Sequence, residues 1–236
     1  NAPISGLSVS NIIDDRAKLN FDNMNTYDAN GNQLCRVDQI RLNYRALGTQ
    51  SWHQKNLGSP VGNVGGCNTS NATAQMIYNL TLNTQYEWKA RVWYCDGTVT
   101  GWVNGPNFTT ALECNNVGNF AATPKNPTRV KFTWDDSNGA YAMMRIKLID
   151  DGIVNPVDAD WMQAGGNGVL YPTFTKNRNW LTPGTTYRAQ ARAFCDPNGG
   201  AYNALSWTPL VYWTQPTIRI EGGETIANLD VYPNPS

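Results

Sequence analysis

At 236 residues the chain is long for one small β domain and comfortable for two of about 100 residues each. Eighteen Lys and Arg balance eighteen Asp and Glu, and the resulting zero formal charge and pI ≈ 6.8 remove any electrostatic reason to expect nucleic acid or an anionic membrane as partner. No apolar run approaches the ~20 residues of a membrane helix, and the opening residues do not resemble a signal peptide, so any export signal is expected outside this chain. Scarce Glu and Lys beside frequent Trp, Tyr and β-branched residues argue for strands rather than helices.

The first predicted strand reads RAKLNFD at 16–22, an alternating run that ends in an aromatic and an Asp. RLNYR follows at 41–45, SWHQ at 51–54, and then a long Asn- and Gly-rich segment at 57–71. Leu80 and Tyr86 stand six apart in LTLNTQY, which feeds an alternating run over 86–95. There Tyr86, Trp88, Ala90 and Val92 share one face, and Glu87, Lys89, Arg91 and Trp93 the other. One apolar face at period two is the mark of a sheet packed on one side only.

WVNGPNFTT at 102–110 closes the first half, and the same landmarks then return in order. RVKFTWD stands at 129–135, RIKLI at 145–149 and DWMQ at 160–163; Leu181 and Tyr187 again stand six apart in LTPGTTY, and WTPLVYWTQ fills 207–215. Such ordered recurrence is an internal repeat. Each half holds about seven short alternating segments separated by Gly, Asn, Asp and Pro turns. The fold class this predicts is all-β, two tandem β-sandwiches and a short C-terminal tail, with boundaries 1–111, 112–216 and 217–236.

These residues carry a resemblance. Leu181-Thr-Pro-Gly-Thr-Thr-Tyr187 is similar to the turn into strand F of a fibronectin type III domain, an immunoglobulin-like sandwich. The resemblance implies a tyrosine corner at Tyr187 and Tyr86, with the ring in the core and the hydroxyl bonded to nearby backbone. It also implies a strand-B aromatic at Phe21 and Trp134, and inward positions of strand C at Ile40, Leu42, Tyr44, Met144, Ile146 and Leu148. The second half fits best; the first departs from it, with LNTQ in place of PGTT. A second resemblance sits at the end. NLDVYPNPS at 228–236 looks like the opening of a type IX (Por) secretion-system C-terminal sorting domain of the Bacteroidota, after a polar linker. That implies an outer-membrane-exported protein, extracellular or at the cell surface, of which this chain is expected to be a truncated, monomeric segment.

The five cysteines form no CxxC or Cys/His cluster, and the one histidine is His53, so disulfides are expected rather than zinc. In a fibronectin-like sandwich Cys114 precedes strand A and Cys195 ends strand F at the same pole, which implies a Cys114–Cys195 bridge. The same logic groups Cys35, Cys67 and Cys95 at the outer pole of the first half. Cys35 is expected to pair with Cys67, and Cys95, taken as the counterpart of Cys195, with a partner outside the chain. Tyr86 to Cys95 is nine residues where Tyr187 to Cys195 is eight. A bulge would reconcile the two; without one, Cys95 competes for Cys35 or Cys67.

Catalytic motifs are absent: no HExxH, GxSxG, Walker loop or GxGxxG occurs. The Asp doublets at 14–15, 135–136 and 150–151 read as turn formers, since adjacent strand residues face opposite ways. No enzymatic activity and no cofactor are expected. Calcium is the one metal with any support, at the loop holding Asp150, Asp151, Asp158 and Asp160, against the plainer reading of a solvated polar loop. Trp93, Tyr94 and Trp102 on the FG side, with Tyr27 on the BC side, form a candidate contact for a protein or glycan at the cell surface. Trp102 and Phe108 recur as Trp207 and Trp213, so part of that set is expected to be structural. Two functions fit: a spacer or adhesion region, or accessory modules of a secreted hydrolase whose catalytic domain lies upstream.

Overall fold

The computed structural model describes residues 1–58, 70–135, 143–152, 160–166, 174–196 and 200–218. Every regular element among them is a β-strand, and the chain divides between Glu113 and Cys114 into two compact units.

The first unit runs β1 (Ser8–Ser10), β2 (Arg16–Asn20), β3 (Thr26–Tyr27), β4 (Gln33–Cys35), β5 (Val37–Ala46), β6 (His53–Leu57), β7 (Ala74–Tyr78), β8 (Gln85–Tyr94), β9 (Val103–Asn104) and β10 (Phe108–Thr109). One sheet has the order β1-β2-β7; the other has β10-β8-β5-β6, with β9 also on β8, and β3 and β4 form a separate hairpin. The second unit runs β11 (Gly118–Asn126), β12 (Arg129–Asp135), β13 (Met143–Asp150), β14 (Asp160–Gly165), β15 (Thr175–Arg178), β16 (Thr186–Phe194) and β17 (Val211–Thr214). Its sheets are β11-β12-β15 and β14-β13-β16-β17, the first unit's arrangement without a counterpart of β9.

Alternation sets what each sheet buries. Tyr86, Trp88, Ala90 and Val92 of β8 are buried, as are Ile40, Leu42 and Tyr44 of β5 opposite them. The two cores fill the same space differently. Ala17, Leu19 and Trp88 of the first unit align with Val130, Phe132 and Ala189 of the second, all buried. A large indole on one strand is thus replaced by larger side chains on the facing sheet. In the second unit Phe132 also meets Trp213 edge-on at 5.6 Å and stacks on Phe120 at 5.5 Å. Conserving total volume rather than each side chain keeps a core close-packed.

Both tyrosine corners are present. The Thr81 N–H donates to the Tyr86 hydroxyl at 2.8 Å, and the Thr182 N–H to that of Tyr187 at 2.9 Å. The departure of LNTQ from PGTT is only apparent. Asn83 and Gly184 take the same position and both have positive φ, 47° and 75°. Asn tolerates that left-handed conformation best among residues with a side chain, so the turn survives without glycine.

Cysteine placement agrees with part of the expectation and corrects the rest. Cys114 and Cys195 are bonded, with a Cα separation of 5.9 Å. Cys95 is not the counterpart of Cys195. The position eight residues beyond the corner Tyr is Cys195 in one unit and Tyr94 in the other, and Tyr94 is buried with its hydroxyl donating to the Ala2 carbonyl at 2.8 Å. Both residues fasten the end of this strand to the segment before the first strand of the sandwich, one covalently and one by a hydrogen bond. The irregularity lies in β5 at Asp38, between the pairs Val37–Tyr94 and Gln39–Trp93, and not in the cysteine-bearing strand. The expected Cys35–Cys67 bridge is also corrected. Cys35 is a free thiol, carried on β4 with its Sγ donating to Asn1 Oδ1 at 3.0 Å, whereas Cys95 is disulfide-bonded. Cys67 lies outside the described residues, as do residues 219–236 of the tail.

Candidate functional site

The four proposed contact aromatics do not form one surface. Tyr94 points into the core at 2% exposure, so it presents nothing to a ligand. Its outward placement is corrected by strand parity: β8 buries its even-numbered residues through to its end. Tyr27 is exposed but stands on the β3–β4 hairpin. Trp93 and Trp102 are brought together on the outward face of the β5–β8 sheet, through a residue between them.

That residue is Arg91. Its guanidinium carbon lies 4.2 Å from the Trp93 ring centre and 4.4 Å from that of Trp102. Arg41 covers Trp93 at 4.4 Å, and Lys89 Nζ lies 5.0 Å from Trp102. Lys89 also lies 4.3 Å from Trp52, which Arg45 covers at 4.1 Å. Seven side chains therefore alternate cation, ring, cation from Arg41 to Arg45, and each of the three indoles has two cations within 5.0 Å of its ring centre. Significant cation–π pairs arise about once per 70–80 residues, so six on one face of this unit are not background.

The register explains why these residues meet. Arg41 pairs across the strands with Arg91, Asn43 with Lys89, and Arg45 with Glu87, so one like-charge pair, Arg41 and Arg91, stands directly opposite with the Trp93 indole against both guanidinium groups. Like charges facing directly across a sheet are unfavourable, and the electron-rich ring faces offset this. Burial and the neighbouring Arg41 pull the Arg91 guanidinium below its ordinary pKa, and its Nε is buried without a hydrogen-bond partner. Arg45 alone of the four cations is ion-paired, to Glu87 at 2.7 Å.

Sequence reading found Trp93 and Trp102 but missed Trp52 and all four cations. The signal was present: Glu87, Lys89, Arg91 and Trp93 alternate on one face, and Arg41, Asn43 and Arg45 repeat that parity. The link to Trp52 and Trp102, which lie outside the strands, is made only by the fold. The second unit keeps the scaffold and loses the stack. Trp161 and Trp207 sit against each other at 5.3 Å, Lys147 is 5.8 Å from Trp161, and Arg145 covers Phe194 at 4.9 Å. Gln190 and Ile149 stand where the first unit has Lys89 and Arg45.

No family model matches the chain, and no curated protein matches it. Among solved structures it is similar to the FN1–FN3 domains of chicken CNTN1, with a TM-score of 0.57 and 10% identity over 92% of this chain and 68% of that one. A two-domain fibronectin type III segment from chicken tenascin also matches, with a TM-score of 0.35 and 10% identity over 92% of this chain and all of that one. The fold is a tandem of fibronectin type III-like sandwiches. At 10% identity the likeness carries the architecture and no ligand.

The remaining candidates do not converge within this fibronectin-like pair. Asp151 faces Arg188 at 3.7 Å, Asp160 is ion-paired with Arg178, and Asp150 accepts the Gly152 N–H at 2.9 Å. Asp158 lies outside the described residues, among which no three potential metal ligands cluster. His53 stacks on Tyr44 at 5.3 Å and lines a depression of about 320 Å³ with Lys55, Tyr78, Asn79, Leu80 and Tyr86, a lining without a Ser, Thr, Cys or carboxylate side chain.

Proposed function

We propose that this chain is a non-catalytic pair of fibronectin type III-like modules from an exported protein, serving as spacer and adhesive contact region at the cell surface or outside the cell. The observation that carries the adhesive part is the seven-member stack of Arg41, Trp93, Arg91, Trp102, Lys89, Trp52 and Arg45 on an outward sheet face. The disulfide and the fold suit an oxidising compartment. The ending YPNPS supports export by the type IX route in a member of the Bacteroidota.

The contact region moves, relative to the expectation of a site shared by the FG and BC sides, to the sheet face. The test is retention of the purified chain on an array of polysaccharides and extracellular proteins, compared with an Arg91→Ala/Trp93→Ala variant of unchanged circular dichroism. Retention that weakens in the variant supports the reading. Equal retention of both proteins refutes the contact face.

A further inference from the structure

We propose that the outward face of the β6-β5-β8 sheet binds an acidic polysaccharide, its carboxylate or sulfate groups meeting the row formed by Arg41, Arg91, Lys89 and Arg45. The proposal rests on the reading of that face as a contact surface, and adds the class of ligand.

Charge segregation is the first argument. Residues 1–113 carry eight Lys and Arg and eight Asp and Glu, so this unit has no net charge. Four of the eight cations lie in the stack, whereas Glu87 is the only acid at the outward positions of β5, β6, β8 and β9. Arg41, Lys89 and Arg91 have no ion-pair partner among the described residues; Arg41 instead donates to Asn56 at 3.1 Å and to Gln39 at 3.3 Å. A local excess of positive charge on a neutral domain selects an anion.

The geometry of the stack is the second argument, and it also decides against a neutral sugar. Stacking on a pyranose needs an open ring face, and each of the three indoles already has two cations within 5.0 Å of its ring centre. What the row offers a ligand is its cationic N–H donors rather than bare ring surface. The rings act as spacers that hold four long side chains in one row, so much of their rotamer entropy is lost before binding. Guanidinium N–H pairs match carboxylate and sulfate oxygens in the planar, two-pronged manner used for such anions. Asn43, Gln54, Asn56 and Asn104 share the face and offer amides to sugar hydroxyls. Single-stranded nucleic acid, the other flexible polyanion, gains much of its affinity from bases laid on open aromatic faces, and a base would here have to compete with the two cations already against each indole.

The experiment is affinity electrophoresis of the full chain through gels containing alginate, dextran sulfate, neutral dextran or single-stranded DNA. Retardation is expected with alginate or dextran sulfate, and the two gels separate a carboxylate from a sulfate preference. No retardation is expected with dextran, and less with DNA than with the better acidic polymer. Arg41→Gln/Arg91→Gln is expected to weaken the interaction about tenfold or more, and Lys147→Gln on the second unit to leave it unchanged. Lys89→Gln, a milder change, guards against misfolding of the double variant.

Retardation of the wild-type protein is also expected to vanish near 1 M salt, where charges are screened beyond ~3 Å. Any of four results overturns the proposal: no retardation by either acidic polymer, DNA retarding as strongly as both, undiminished retardation of the folded variants, or persistence in high salt. Loss of acidic-polymer binding alone, with array retention still dependent on Arg91 and Trp93, would sink this inference and leave the contact face standing.

Discussion

Replacing Cys114 and Cys195 together by Ala tests how the second unit is fastened. The bridge spans a sequence separation of 81 residues. Chain-entropy bookkeeping for a loop of that length gives ~4.5 kcal/mol of stabilisation through the unfolded state, an upper figure because a reduced chain retains some structure. The first unit supplies an internal comparison. Tyr94 does the same fastening with one hydrogen bond to Ala2, so Tyr94→Phe is expected to cost only about 1 kcal/mol in that unit. Urea unfolding read by hydrogen-exchange mass spectrometry separates peptides of β8 from those of β16. The double Ala variant is expected to lose roughly 3–4.5 kcal/mol in peptides of the second unit and nothing in those of the first. A loss below about 1 kcal/mol in the second unit, or equal losses in both, would refute the account of this bridge as an unfolded-state constraint.

Further outcomes follow from the same packing. Tyr86→Phe and Tyr187→Phe each remove the acceptor of a backbone N–H at an exposed residue that water can re-solvate, so each is expected to lower its own unit by about 1 kcal/mol in urea unfolding. Gly105→Ala places a Cβ against the buried Trp88 indole, whose Nε1 donates to the Pro106 carbonyl at 3.0 Å; thermal unfolding is expected to show a loss of roughly 1–3 kcal/mol. Maleimide labelling of the unreduced protein is expected to mark Cys35 and leave Cys95, Cys114 and Cys195 unlabelled. Burial, and after it the Asp96 carboxylate, raises the Cys35 pKa, so its thiolate is scarce at neutral pH and labelling accelerates as pH rises above the ordinary thiol range. Asp96→Asn removes the opposing negative charge and is expected to speed labelling at a given pH.

The two sandwiches and the tyrosine corners were legible in the residues because each depends on local pattern. Period two in YEWKARV fixes which side chains face inward whatever the neighbouring strand is, and Leu and Tyr six apart define a turn whose hydroxyl partner lies within the same segment. The strand-F cysteine misled because cysteine was matched to cysteine although the count from the corner Tyr differs, nine residues to Cys95 and eight to Cys195. The true equivalent is Tyr94: the count of eight suggests it, and the burial of Tyr94 with the irregularity placed in β5 at Asp38 rather than in β8 decides it. The stack was illegible for a related reason. Arg41, Trp52, Arg91 and Trp102 come from separate strands and loops, and adjacency across a sheet depends on strand order and register, which alternation within one strand does not encode.

By itself, then, the sequence determined the elements, their inward faces and the repeat, because these follow from the spacing of residues along the chain. Tertiary structure decided which cysteine is free, which aromatic is core and which cations share three indoles, since each depends on atoms that meet only after the strands have paired.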